Sequence, residues 1–211
     1  MKRILCYGDS NTWGWVPNIN GYSKSAIISQ YAKEDCWWYT LTKNNEVFLN
    51  GLPGRCISHE NRWVKNSNAI VTIEDDLKSY TNIDLVIVLL GTNDCKSEYD
   101  SSAEEITKSL QMLLKKIKET TNSQIVVISP AIIREDTKIT RKYYVGAESK
   151  SNELDYLYNE LSKQEGYLFI SGKDLEIGED GEHFTKEGHK KLGDRVESLV
   201  ANLTKNIDCI M

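Results

Sequence analysis

Leu85-Val86-Ile87-Val88-Leu89-Leu90 is an unbroken apolar run, bounded by Asp84 and Gly91. A strand with one wet face alternates apolar and polar side chains, so a continuous run fits a strand covered on both faces. Four shorter runs share this character: residues 3–7, Glu46-Val47-Phe48-Leu49 ending at Asn50-Gly51, Ile125-Val126-Val127-Ile128, and Tyr167-Leu168-Phe169-Ile170. Strands of this kind need a layer on each side, which a central parallel sheet sandwiched between helices supplies.

Helical patterns fall between the runs. Ser102-Ala103-Glu104-Glu105 has the spacing of a capping box, and Ile106, Leu110, Leu113, Leu114 and Ile117 then share one face. Leu154, Leu157, Tyr158 and Leu161 repeat that spacing before Gly166. Leu192, Val196, Leu199 and Val200 form a terminal stripe, with Thr185 as its candidate N-cap. Residues 27–43 and 69–80 are further helix candidates. Polar stretches at 95–101 and 134–153 read as loops, the second charged and partly helical. Strand and helix alternate throughout, so the expected fold is a three-layer α/β/α sandwich in a single domain spanning 1–211.

At 211 residues the chain can bury a core without metals or disulfides. Its net charge of -5 argues against nucleic-acid and acidic-membrane partners. No stretch approaches the length of apolar chain that spans a bilayer. Only four apolar residues separate Arg3 from Gly8-Asp9, too few for a signal-peptide core, so a cytoplasmic location is expected. Cys6, Cys36, Cys56, Cys95 and Cys209 are scattered and odd in number, which fits reduced thiols.

Polar signals sit beside the strand ends. Gly8-Asp9-Ser10 follows the first run, Gly51 the second and Gly91-Thr92-Asn93-Asp94 the third, while Asp180-Gly181-Glu182-His183 precedes the terminal helix. In an open parallel sheet, groups at the carboxyl ends of the strands share one crevice. Ser10 could then act as nucleophile, His183 as its base and Asp180 as the group orienting the imidazole. The Ser10 N–H, Gly51 N–H and Asn93 side-chain amide are candidate oxyanion donors. Taken singly, Ser10 also fits a helix cap, Asp180–His183 a surface turn and Asn50-Gly51 an ordinary turn pair. Their joint placement around one sheet edge favours chemistry.

Those four blocks, in that order, resemble the SGNH, or GDSL-type, hydrolase family over most of the chain. The resemblance implies a flavodoxin-like fold and a serine esterase or acyltransferase site. It implies Ser10 as nucleophile, Asp180 and His183 as the remaining triad members, Gly51 and Asn93 in the oxyanion hole, and a supporting role for Asp9. Asn11 stands where the simplest form of the motif has leucine. No Gly-x-Ser-x-Gly elbow surrounds Ser10. Gly51-Leu52-Pro53-Gly54-Arg55 and Trp13-Gly14-Trp15 are similar to the arylesterase- and acyltransferase-like branch, which favours small acyl groups and allows a homo-oligomer.

Trp13, Trp15 and Arg55 are candidate pocket residues; packing is the alternative for the tryptophans, and fastening the oxyanion loop the favoured one for Arg55. Trp37 and Trp38 fit core packing better. His189 fits packing or a helix-start hydrogen bond, and His59-Glu60 lacks the second histidine of a zinc helix motif. A carboxylate-only site built on Asp9, Asp94 and Asp180 would leave Ser10 and His183 without a task. The expected activity is hydrolysis of small acyl esters, such as acetyl esters of carbohydrates or aryl esters, through an acyl-serine. Water or an alcohol would accept the acyl group, with no cofactor and no metal. Thioesterase, lysophospholipase or acyltransferase activity would use the same triad. A silent carbohydrate-binding or interaction protein is the alternative from another class.

Overall fold

The five apolar runs pair side by side. In the computed structural model, which describes residues 1–18 and 29–208, they form β1 (Arg3–Gly8), β2 (Glu46–Gly51), β3 (Leu85–Leu89), β4 (Gln124–Ile128) and β5 (Leu168–Ile170). Their spatial order is β2-β1-β3-β4-β5, and every pairing is parallel. The chain winds from β1 outward to β2, then returns to β3 on the other side. That reversal opens a crevice at the carboxyl ends of β1 and β3, the flavodoxin-like arrangement.

Alternate residues of each strand enter opposite cores, which is why the runs are continuous. Leu5, Tyr7, Val86, Val88, Ile125 and Val127 face α2 (Ala69–Lys78), α3 (Ala103–Thr120) and α5 (Ala147–Glu165). Ile4, Cys6, Leu85, Ile87, Val126 and Ile128 face α6 (Lys186–Asp208) and the 3₁₀ segment Trp37–Lys43. Each fully buried Leu or Ile contributes about 1.5–3 kcal/mol relative to exposure, so both layers are needed to hold the sheet. No helix among the described residues is long and apolar enough to cross a membrane. The described cysteines are unpaired; Cys209 lies outside the described residues.

The helix signals have their expected structural partners. Ser102 Oγ accepts from Glu105 N at 3.2 Å, and Glu105 Oε2 accepts from Ser102 N at 2.9 Å, closing the capping box ahead of α3. Thr185 Oγ1 accepts from Gly188 N at 3.1 Å, capping α6.

One segment differs from expectation, and the partly helical 134–153 stretch takes a definite form. Residues 29–43 of the 27–43 candidate carry 3₁₀ turns, Lys33–Asp35 and Trp37–Lys43, rather than an α-helix, while 27 and 28 lie outside the described residues. Cys36 is extended between them, and Thr42 Oγ1 donates to Tyr39 O at 2.7 Å, the local hydroxyl bonding that competes with α-helical pairing. Within 134–153, α4 (Thr140–Tyr143) is followed by α5 from Ala147. The buried face of α5 begins with Ala147 and Ser151 before reaching Leu154. Small residues there leave no apolar stripe in the sequence. Ser151 Oγ instead donates to Ala147 O and accepts from Ile133 N.

Candidate active site

Ser10 is placed by a turn with no spare room. Gly8 ends β1, and a Cβ there would lie 2.1 Å from Thr12 Oγ1 and 2.6 Å from Leu89 O. The chain then turns into α1 (Ser10–Trp13), whose first turn is capped by Asp9: its Oδ1 accepts from Asn11 N at 2.9 Å. Burial pushes the Asp9 carboxyl up to about 6, against the pull of the Asn11 hydrogen bond and of His183. Trp38 Nε1 donates to Thr12 O at 3.0 Å and ties α1 to the 3₁₀ segment.

His183 reaches Ser10 from the far end of the sequence. Its Nε2 lies 2.9 Å from Ser10 Oγ and its Nδ1 2.9 Å from Asp180 Oδ2. All three side chains are buried. A carboxylate only accepts, so Nδ1 carries the proton, and the bare Nε2 accepts from the serine hydroxyl. The carboxylate is itself fixed: Asp180 Oδ1 accepts from the backbone N–H groups of Glu182 and His183, and Oδ2 from Asn18 N. Burial works against the Asp180 charge, but these donors and His183 hold its pKa below the usual value. For His183, burial disfavours the charged ring, yet Glu182, Asp180 and Asp9 raise its pKa above the ordinary value.

The turn carrying this pair is braced from several sides. Gly178 N donates to His183 O at 2.8 Å, Arg134 N to Gly181 O at 3.0 Å and Thr137 Oγ1 to Asp180 O at 2.9 Å. The 134–140 segment thus buttresses the turn through its backbone and Thr137. Arg134 directs its own side chain to Asp136. On the other side, Asn11 Nδ2 donates to Glu182 O at 3.2 Å and Asn11 Oδ1 accepts from Phe184 N at 2.9 Å.

Gly51 and Asn93 come to the same edge. Gly51 is level with Gly8 in the β1–β2 pairing, and a Cβ on it would lie 2.6 Å from Trp13 N. Glycine is required by that close approach. Asn93, just past β3, donates from Nδ2 to Arg55 O at 3.2 Å. Asp94 grips the same segment, accepting from Ile57 N at 2.9 and 3.1 Å, while burial pushes its carboxyl up to about 7.

Arg55 is a fastener. Its Nη1 donates to Gly8 O at 2.9 Å and Asn50 O at 2.7 Å, its Nη2 to Asn50 Oδ1 at 2.8 Å, and its guanidinium lies 4.1 Å from the Tyr7 ring centroid. With the side chain buried among these groups, the pocket role considered for it gives way to the structural one. Trp15 stacks on the His183 ring at a centroid distance of 5.3 Å and a 19° interplanar angle, with Trp13 5.9 Å from Trp15.

The other histidines lie elsewhere. His189 Nδ1 accepts from Trp37 N at 3.4 Å, and burial lowers its pKa to about 4, so it is a neutral packing group. His59 stacks on Tyr99 and bonds Ser101. Among the described residues no cluster of three or more His, Cys, Asp or Glu is placed to hold a metal ion. Sequence reasoning missed the bracing by Asn11 and the influence of Glu182. The available signal was a polar amide standing where the simplest motif has leucine.

Residues 6–191 match the model of the GDSL-like lipase/acylhydrolase family. The chain belongs to that family. Among solved structures, an aryl esterase from M. smegmatis is 27% identical, over 96% of this chain and 100% of its own, with a TM-score of 0.88. A carbohydrate acetylesterase from Sinorhizobium meliloti is 27% identical, again over 96% and 100%, with a TM-score of 0.87. Another structure, of a carbohydrate acetylesterase family member from Sinorhizobium meliloti, is 26% identical over 95% and 97%, with a TM-score of 0.84. No curated protein sequence matches the chain. Family and fold therefore agree with the order of the motif blocks and with the sheet that gathers them.

Proposed function

We propose that this acylhydrolase-family chain is a serine esterase for small acyl esters. The observation that carries the reading is the continuous hydrogen-bond chain from Ser10 Oγ through His183 to Asp180, with both links at 2.9 Å. Ser10 Oγ attacks the ester carbonyl carbon while its proton passes to His183 Nε2. The carbonyl π pair moves onto oxygen, where the N–H groups of Ser10 and Gly51 and the Asn93 amide receive the charge. Asn93 Nδ2 carries two hydrogens, so its bond to Arg55 O leaves one for this purpose.

Collapse of the intermediate breaks the bond to the alcohol, which leaves with the proton from His183. Water or an acceptor alcohol then attacks the acyl-serine, His183 again taking and returning the proton, and Ser10 is restored. Asp180 stays ionised and stabilises the imidazolium that forms twice per cycle. The similarity to an aryl esterase and to carbohydrate acetylesterases supports acetyl-sized groups on aryl or sugar alcohols.

A panel of acetyl, butyryl and long-chain esters and a thioester, run with and without alcohol acceptors, tests the reading. Acetyl esters should turn over fastest, and a fluorophosphonate should label Ser10. Equal turnover by Ser10→Ala would overturn the mechanism; preference for the long-chain ester or the thioester would overturn the substrate class.

A further inference from the structure

Asn11 sits next to the nucleophile, is buried, and bonds the backbone on both sides of His183. Glu182 O can only accept and Phe184 N can only donate. A side chain serving both must present a donor and an acceptor a short reach from α1. The carboxamide does so with each atom used once: Nδ2 to Glu182 O at 3.2 Å and Oδ1 from Phe184 N at 2.9 Å. Leucine at this position could fill space but could make neither bond. Asn11 N is itself held by Asp9 Oδ1, so the carboxamide projects from a fixed backbone.

The consequence is geometric. Ser10 and His183 lie 173 positions apart, and their side chains meet at 2.9 Å. The braces from the 134–140 segment and from within the Asp180–His183 turn do not refer the imidazole to the serine. Asn18 N on Asp180 Oδ2 and Trp15 stacked on the His183 ring come from the chain just after α1, farther along from Ser10. The Asn11 bracket runs from the residue beside the nucleophile to the backbone on both sides of the base.

We propose that Asn11 is a positioning residue for the reaction, setting the register between Ser10 Oγ and His183 Nε2 through the backbone flanking the histidine. This inference rests on the serine-esterase reading and deepens it. It predicts a loss in the chemical step rather than in substrate binding, since a proton-transfer pair is sensitive to displacements of about 1 Å, which can cost on the order of a hundredfold.

The test uses Asn11→Leu, which removes both bonds, and Asn11→Asp, which keeps the acceptor for Phe184 N. Turnover of an acetyl aryl ester is expressed per serine titrated by fluorophosphonate, so that unfolded molecules do not count. Asn11→Leu should lose about tenfold to a hundredfold in kcat with KM within about twofold. Asn11→Asp should recover relative to wild type as pH falls, because the protonated carboxyl again offers a donor and an acceptor; Asn11→Leu should show no such recovery. A kcat for Asn11→Leu within about twofold of wild type overturns the proposal. If Asn11→Leu does not fold, a pH-independent ratio of Asn11→Asp to wild type overturns it. Failure of the wild-type protein to hydrolyse esters or to label at Ser10 overturns the esterase reading first, and is visible before any Asn11 variant is measured.

Discussion

His183 Nε2 lies 2.9 Å from Ser10 Oγ, and the two residues sit at opposite ends of the sheet's winding. On the proposed reading they are base and nucleophile, and a pair joined in this way acts as a unit. Ser10→Ala or His183→Ala should each reduce kcat by on the order of 10⁴ or more, and the double variant should be little worse than either alone. Asp180→Asn should cost about 10⁴ by favouring the wrong tautomer of His183. Steady-state kinetics of the three single variants and the double variant check this; additive losses would contradict a shared proton-transfer unit.

On the proposed reading, Asn93 serves transition-state binding rather than substrate binding. Its amide is anchored at 3.2 Å on Arg55 O and stands just past β3. Asn93→Ala should lower kcat by about 10²–10³ while KM changes little, as expected when one oxyanion donor is removed. A variant with raised KM and unchanged kcat would assign Asn93 to the ground state instead.

Much of this arrangement is legible in the chain. Continuous apolar runs foretell β1 to β5 because each strand feeds two cores, and the polar blocks after them mark the crevice. The start of α5 is not legible, because Ala147 and Ser151 occupy its buried face without forming an apolar stripe. Nor are the bonds of Asn11 and Asp94, which join a side chain to backbone atoms at distant positions; the fastening role of Arg55 is legible, but not its partners Gly8 O and Asn50 O. Periodicity reports which face of an element is buried. It carries no record of which loop a carboxamide or guanidinium will reach.

The pH dependence follows from the buried charges. Burial opposes the charge on His183, but Glu182, Asp180 and Asp9 raise its pKa above 6.5. Catalysis needs the neutral ring, so kcat/KM should rise with pH through a midpoint above 6.5. Glu182→Gln removes one of the raising charges and should move that midpoint down. Stability has the opposite trend. The folded protein binds protons more tightly than the unfolded chain at His183, at Asp9 (about 6) and at Asp94 (about 7), so these groups lower stability as pH rises. The carboxylate losses accumulate from the unfolded value of 3.8 up through about 6 and about 7, and the His183 loss from 6.5 upward. His189, held at about 4, works the other way and adds stability up to pH 6.5, so the falling Tm should be read from pH 6.5 to pH 8. A rising Tm over that range would mean that neither Asp94 nor His183 holds its proton more tightly in the folded state.

Arg55 distinguishes a fastener from a substrate-binding cation. Its guanidinium bonds Gly8 O, Asn50 O and Asn50 Oδ1 at once, and its own carbonyl holds Asn93. Lysine keeps the charge but not the planar fork that meets these acceptors together. Hydrogen bonds to charged groups contribute about 1.5–3 kcal/mol each, so Arg55→Lys should lower unfolding stability by about 2–4 kcal/mol once the lysine has made what contacts it can. Because the carbonyl that anchors Asn93 would shift with the loop, kcat should fall for neutral and carboxylate-bearing esters alike. Urea denaturation together with kinetics on both esters decides the matter. Unchanged stability with a raised KM confined to the carboxylate-bearing ester would make Arg55 a substrate-binding residue after all.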